Sequence, residues 1–235
     1  MQTPLIFTGL ETIPLIKPSV DIANLFISCL KKEGGVLRDK DIVCIASKII
    51  SVSQNKFIDI TKIVPSEFAI KLHAKVPRKK PEVLELIFQE AGYSEEKIIV
   101  NENWVGALTK IGRKLTSAGI DTVDDSTVLL LPDDPDGFAK SFRLQIKEKL
   151  NVDIAVLITD SDGREDIKGA TQLCIGLSGI NPIRAENGNE ETICDMLAAA
   201  SGLIMGQRGK NIPVVIVSGY DFELDEDATL KNATA

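Results

Sequence analysis

The sequence predicts an α+β fold, and three observations predict it. Amphipathic stretches with a period near 3.6 alternate with short β-branched runs. The composition, 44% hydrophobic and 26% charged over 235 residues, is that of an ordinary globular chain, which excludes disorder, collagen and coiled coil. No long Ser/Pro linker and no repeat interrupts the alternation, so residues 1–222 read as one domain. Residues 223–235, ELDEDATLKNATA, read as an acidic polar tail that packs loosely.

In order along the chain, residues 20–33 come first. Ile22, Leu25, Phe26, Cys29 and Leu30 follow the i, i+3, i+4, i+7, i+8 pattern, and Gly34-Gly35 supplies the stop of this helix. DIVCIASKII (41–50) is the first buried run. A second helix spans 67–75 after Ser66, and a third starts at Pro81, suited to a first helical turn, and runs through Val83, Leu84 and Ile87 to Gly92. KIIVN (97–101) and STVLLL (126–131) follow as strands. A fourth helix follows Asp136, with Phe138, Phe142, Ile146 and Leu150 at steps of four, while Asp133, Asp134 and Asp136 suit a turn and helix cap. DIAVLIT (153–159) and ATQLCIGLSG (170–179) are strands. The fifth helix begins near Asn189, carries Ile193, Met196, Leu197, Ala200 and Ile204 on one face, and ends at Gly206 before the last strand, IPVVIVSG (212–219). Continuous apolar runs of this length suit strands buried on both faces, although periodicity alone does not separate them from buried helix.

Charge and residue counts remove several functions. With 34 acidic against 27 basic residues the net charge is −7, which disfavours a nucleic-acid surface, and one Trp with 5% aromatics offers no base-stacking platform around Trp104. MQTPLIFTGL is not a signal peptide, and no apolar run approaches the roughly 18 residues a membrane span needs, so a cytoplasmic protein without membrane partners is expected. Cys29, Cys44, Cys174 and Cys194 are widely spaced in apolar stretches and read as buried reduced thiols. His73 is the single histidine, which excludes a His-based zinc site or a Ser-His-Asp triad.

The chemistry must then sit at polar turns. Ser117–Asp121, Ile158–Arg164 and Met205–Lys210 are the three candidates, each also readable as an ordinary turn or cap. Asp121 and Asp160 with Ser161 and Gln207 form the hard-oxygen set that Mg²⁺ or Mn²⁺ prefers. Arg113, Lys114, Arg164, Lys168, Arg208 and Lys210 beside the same turns supply positive charge for a phosphate-bearing ligand. A P-loop is missing, and the DSDG turn lacks EF-hand spacing. Its strand-D-x-D-G pattern leaves a haloacid-dehalogenase-like phosphatase as an alternative, with Asp160 as nucleophile and Asp162 as acid, although Arg164 stands where that family has a hydroxyl residue.

Several blocks in one order resemble the F420 gamma-glutamyl ligases (coenzyme F420-0:L-glutamate ligases). They are Ile13–Lys17, DIVCIASKIIS, SAGID, STVLLLPDDPDG, ITDSDGR, IGLSGI and LIMGQRGKNIPVVIVSG. The resemblance implies an α+β fold with a mixed β-sheet or barrel core and flanking helices, assembled as an intertwined homodimer. It implies a ligase that uses GTP with two divalent cations, Mg²⁺ or Mn²⁺, helped by K⁺, to join a deazaflavin carboxylate to the α-amino group of L-glutamate through an acyl phosphate. Carried over by position, Asp121 and Asp160 bind the first metal, Ser161 and Gln207 the second, and Arg164 joins the two aspartates as a catalytic residue. GTP is placed against Ile13, Pro14, Leu15 and Ile16, against Ser47 and Lys48, at Asp124, and along Met205, Gly206, Gln207, Arg208 and Gly209. Gln207 also reads as a solvated residue after a helix end, and Lys48 as an exposed strand residue.

The departures are as specific. Val52 stands where the family has a nucleotide-contacting Lys, Ser117 replaces an Asn, Asp124 replaces a neutral polar residue, and Asp166–Gly169 lacks an Arg. The connection from Asn181 to Glu191 is shorter than in the family. The metal ligands are retained while the acceptor side is changed, which leaves open a related ligase acting on another carboxylate, or a nucleotide-binding homologue without turnover.

Overall fold

The computed structural model describes residues 4–101, 104–164, 166–206 and 210–234. In chain order the elements are β1 (Ile6–Gly9), α1 (Ile22–Lys32), β2 (Ile42–Ala46), α2 (Ser47–Ser53), β3 (Phe57–Asp59), α3 (Glu67–Lys75) and α4 (Pro81–Glu90). Next come β4 (Ile98–Asn101), β5 (Trp104–Leu108), β6 (Lys114–Thr116), β7 (Asp121–Thr122), β8 (Thr127–Leu129) and α5 (Pro135–Leu150). The chain continues through β9 (Ala155–Arg164), β10 (Ile167–Ile180), β11 (Ile183–Glu186), β12 (Asn189–Thr192), α6 (Ile193–Met205), β13 (Val214–Ser218) and β14 (Leu224–Asp225). The α+β class is therefore as expected. The domain expected over 1–222 contains two compact units: Met1–Asn55, Pro132–Ser161 and Thr171–Ala235 form one, and Lys56–Leu131 with Asp162–Ala170 form the other.

The first unit is built on a six-stranded sheet in the order β1-β13-β2-β9-β10-β14. β2 runs parallel to β9, and antiparallel to β13 on its other side. The sheet is mixed, as the resemblance implied, but it is open at β1 and β14, and no closed barrel is formed among the described residues. β2 and β9 are buried on both faces, which is why their sequences are unbroken apolar runs. Ile42, Cys44, Ala155 and Leu157 pack on the face covered by Leu197 and Ala198 of α6. The pleat turns the equally buried Val43, Ile45, Val156 and Ile158 to the opposite face.

Helix ends follow the local chemistry. Asp21 caps α1 by accepting from the Asn24 N–H at 2.9 Å, and Lys31 and Lys32 sit in its last turn, where the helix dipole favours cations. Asp134 caps α5 through the Gly137 N–H at 2.9 Å, Pro135 takes the first helical position, and Asn151 ends the helix in the left-handed conformation. Phe26 of α1 meets Phe142 of α5 edge to face, with ring centroids 5.4 Å apart. The four cysteines are buried and carry no disulfide; burial pushes the Cys44 thiol up to about 12, so it is inert at neutral pH.

The IGLSGI block acquires a structural reason here. A Cβ at Gly176 would stand 2.4 Å from Pro135 Cβ and 2.6 Å from its carbonyl carbon, so β10 reaches the start of α5 only because this residue has no side chain. Gly176→Ala is expected to cost about 1–3 kcal/mol through overpacking. Chemical unfolding checks it, and an unchanged stability would show that α5 shifts freely.

Four expectations are corrected. The run 41–50 is not one strand: β2 ends at Ala46 and α2 begins at Ser47. The last helix begins at Ile193, not near Asn189, because Asn187-Gly188, both at positive φ, close a hairpin in which Glu186 faces Asn189. Ile158–Arg164 is not a turn but the second half of β9; its neighbour β10 supplies the ladder partner that overrides the turn preference of Asp, Ser and Gly. The acidic tail packs firmly: β14 pairs with β10, Ala228 and Leu230 are buried, and the Leu230 N–H donates to the Asp136 carboxylate at 3.2 Å.

The second unit contains two three-stranded sheets, β4-β5-β6 and β3-β8-β7. Helices α3 and α4 cover a core of Leu72, Val76, Leu84, Ile87, Val105, Ala118, Ile120 and Val128. Ser66 caps α3 while donating its hydroxyl to the buried Glu85 at 2.5 Å. Among the described residues no helix is long and apolar enough to cross a membrane.

Candidate functional site

The predicted residues are divided between the two units, and in the first of them Ser47 is joined to Asp160. In the first unit, the parallel pairing of β2 and β9 ends at Ala46 opposite Thr159. The next residues on the two strands, Ser47 and Asp160, face each other: the Ser47 hydroxyl donates to Asp160 Oδ1 at 2.5 Å. Ligands of open α/β sheets bind beyond the carboxyl ends of parallel strands, and this pair lies at such an end. Ser47 is buried at the first position of α2, Asp160 is half-buried and Ser161 is exposed, while Lys48 is an exposed helical residue rather than the strand residue that was the alternative.

The segment between β1 and α1 lies in the same unit. Ile13 and Ile16 are buried anchors, and between them Pro14 and Leu15 are presented outward, Leu15 at 91% exposure. At the end of α6, Met205 is buried and its sulfur accepts from the Thr159 hydroxyl at 3.7 Å, one residue before Asp160. Gly206 ends that helix at φ 66°. Gln207, Arg208 and Gly209 lie outside the described residues.

In the second unit, Asp121 opens β7 directly after an unusual turn. Ser117, Ala118 and Gly119 all have left-handed φ, at 53°, 55° and 71°. An alanine in this region is strained and persists only where packing enforces it. Ala118 is buried in the core of the unit, which supplies that enforcement. The turn delivers a half-buried Asp121, paired opposite Leu129, at a fixed place. Asp124 is bonded within its own turn. Its carboxylate accepts from the Ser126 N–H at 2.8 Å and hydroxyl at 3.0 Å, and these bonds hold its carboxyl below the usual carboxylate range, so Asp124 shapes its own turn.

Arg164 is exposed and lies 3.8 Å from Asp166. Asp162 is buried and accepts from the Thr116 N–H at 2.7 Å, while the Thr116 hydroxyl donates to Gly163 O at 2.6 Å. A D-x-D-G phosphatase would need Asp162 as a proton donor, and here it is spent on backbone.

Sequence reasoning passed over the loop 76–80, where Lys79 lies within electrostatic reach of Asp121. Burial pushes the Lys79 ammonium below the ordinary lysine value, Arg78 adds to that, and the Asp121 carboxylate opposes both. The signal was present in PRKK, but a charge run reads by default as a solvated surface.

Carboxylate and hydroxyl oxygens are the donors that Mg²⁺ and Mn²⁺ take, and Asp160 with Ser161, and Asp121, provide them. Among the described residues no three His, Cys, Asp or Glu side chains form a metal-binding group. A sparse protein donor set fits a cation that completes its shell with water and ligand phosphates.

Hydroxyl and carboxylate oxygens are thus presented at the end of β2 and at the start of β7 of a mixed α+β chain whose four cysteines are buried. The sequence matches the F420-0:Gamma-glutamyl ligase family over residues 11–219, and the chain belongs to that family. It is similar to the coenzyme F420:L-glutamate ligase of Methanothermobacter thermautotrophicus, with 35% identity over 90% of this chain and 88% of the relative. The enzyme of the same name from Methanopyrus kandleri is 31% identical, over 92% and 88%. That from Archaeoglobus fulgidus is 30% identical, over 90% and 86%.

Proposed function

We propose that the protein is a GTP-dependent ligase that joins the carboxylate of coenzyme F420-0 to the α-amino group of L-glutamate. The observation that carries this reading is the Ser47–Asp160 pair just past the end of β2 and of its pairing with β9, in a chain matched by the ligase family over residues 11–219. Nucleotide is assigned to the exposed Pro14-Leu15 edge, to Ser47 and Lys48, and to the segment from Met205 to Gly209. Asp121, Asp160, Ser161 and Gln207 are assigned to two divalent cations, Mg²⁺ or Mn²⁺, with K⁺ as a helper. When bound, these cations neutralise charge on the transferring phosphoryl group.

A carboxylate is a poor acyl donor. Its oxygen attacks the γ-phosphorus, the bond to GDP breaks, and an acyl phosphate results. The glutamate nitrogen, after losing a proton, attacks the acyl carbon and inorganic phosphate leaves. This chain's residues hold the partners and exclude water, with Ser47 fixing the Asp160 carboxylate in one orientation. The reading includes a cytoplasmic homodimer.

Calorimetric titration of GTP, then ATP, with and without Mn²⁺ tests the nucleotide site. Wild type should bind GTP only with the metal, and Asp121→Asn should weaken that binding at least about tenfold. Wild type that binds neither nucleotide would refute the ligase reading. One observation favours a second reading, a related ligase with another acceptor. The segment from Asn181 to Glu191 is reduced to a hairpin, β11 and β12, with a two-residue turn and an Arg184–Glu191 ion pair. Phosphate release driven by glutamate and a carboxylate other than F420-0 would support it.

A further inference from the structure

The face of the sheet that packs on α6 turns polar where α6 ends. Leu157 of β9 and Cys174 of β10 lie in the apolar core that Leu197 and Ala198 of α6 cover. Two residues after Leu157 and two before Cys174, the pleat returns Thr159 and Gln172 to that same face. Contacts with α6 agree with that placement. The Thr159 hydroxyl donates to the Met205 sulfur at 3.7 Å, and a Cβ at Gly202 would stand 2.6 Å from Gln172 Cγ. Gly202 and Met205 belong to one turn, closed by the Gly206 N–H donating to Gly202 O at 2.9 Å. Both polar side chains therefore meet the last turn of α6, and Thr159 is followed directly by Asp160.

Neither polar group is well satisfied. Gln172 is 7% exposed, and among the described residues no donor reaches its buried Oε1. Thr159 is fully buried, and its hydroxyl donates to a thioether, a weak acceptor. A buried amide oxygen without a donor is costly, and native proteins keep one where a ligand or a water completes it. The fold also makes room for this amide, because Gly202 leaves out a side chain inside a helix, which is itself unfavourable.

We propose that Gln172 Oε1 accepts an N–H of the amine of L-glutamate, which makes Gln172 a binding residue for the second substrate. This assignment rests on the ligase reading. The reacting nitrogen has to reach an acyl carbon beside the transferred phosphoryl group, and that reading sets the phosphoryl group at Asp160, next to Thr159. A neutral carboxamide suits an amine that must lose a proton. A carboxylate in its place would favour the ammonium form and withhold the lone pair.

The test combines steady-state kinetics in L-glutamate with calorimetry of two probes, L-glutamate in the presence of GDP and Mn²⁺, and GTP with Mn²⁺. Gln172→Met keeps the size and removes the acceptor. It should raise the KM for glutamate about tenfold, with kcat within about threefold and GTP binding within about twofold of wild type. Gln172→Glu keeps an acceptor and adds charge. Its KM should stay within about threefold of wild type while kcat falls about tenfold, because the bound amine stays protonated. Gly202→Ala displaces the Gln172 side chain while favouring the helix, so it should raise the same KM, and it carries the readout if the methionine variant melts early. A glutamate KM unchanged in Gln172→Met would overturn the proposal and leave a trapped water as the partner of Oε1. GTP weakened in place of glutamate, or both weakened equally, would overturn it as well, as would wild type that binds no glutamate in either assay. Gln172-dependent glutamate binding without amide formation would sink the ligase reading and leave the Gln172 assignment standing.

Discussion

Asp160→Asn is expected to lower glutamate- and GTP-dependent phosphate release by about 10²–10³-fold, the usual cost of removing one preorganised charge from a site of this kind. The asparagine keeps the shape, and its side-chain oxygen still accepts from Ser47, whose hydroxyl reaches Asp160 Oδ1 at 2.5 Å. What is lost is the negative charge that the proposed cation would need. The thermal midpoint should therefore stay within a few degrees of wild type, which separates a chemical defect from an unfolded one. Asp160→Asn with wild-type turnover would remove Asp160 from the chemistry and leave the strand-end pair a structural bond.

The largest effect on stability is expected at Arg143, which is 1% exposed in the middle of α5. Its Nε donates to Ile154 O at 3.1 Å, and its Nη2 reaches Asp153 at 3.3 Å and Glu226 at 3.2 Å. Arg143→Ala leaves a large void, strands the Ile154 carbonyl and cuts the bond to the C-terminal segment. Lys147 still pairs with Asp153 at 2.7 Å, so the aspartate is not left alone. Together these losses are expected to cost about 3–4 kcal/mol in urea unfolding. Residues 224–233 should also become sensitive to protease, because Glu226 loses its partner. Arg143→Met, which restores most of the volume without the donors, should recover about half of the loss. An alanine variant within about 1 kcal/mol of wild type would contradict this account.

The resemblance to the ligase family was legible because its blocks carry residues that geometry demands. Gly176 in IGLSGI allows β10 to meet α5, and DIVCIASKIIS contains both the end of β2 and the first residue of α2. The boundary between those two elements was not legible, because Ile49 and Ile50 are as apolar and β-branched as the strand before them. Gln207, Arg208 and Gly209 remain expectations from the family pattern alone.

Helices with capped ends and a clear apolar stripe could be read directly: 67–75 coincides with α3, and Pro81 and Pro135 stand at the first positions of α4 and α5. These signals are local, since capping and helical periodicity act within a turn or two of chain. The long reach of β9 through DSDGR, the docking of an acidic tail against α5 and β10, and the burial of Arg143 depend on partners from 10 to 94 residues away. The pairing of Ser47 with Asp160 bridges 113 residues, and it exists because β2 and β9 lie side by side in parallel. Composition and local pattern set the α+β class and the chemistry available to this chain, whereas strand pairing and packing decided which acidic residues bond to backbone, as Asp162 and Asp136 do, and which meet a side chain, as Asp160 does.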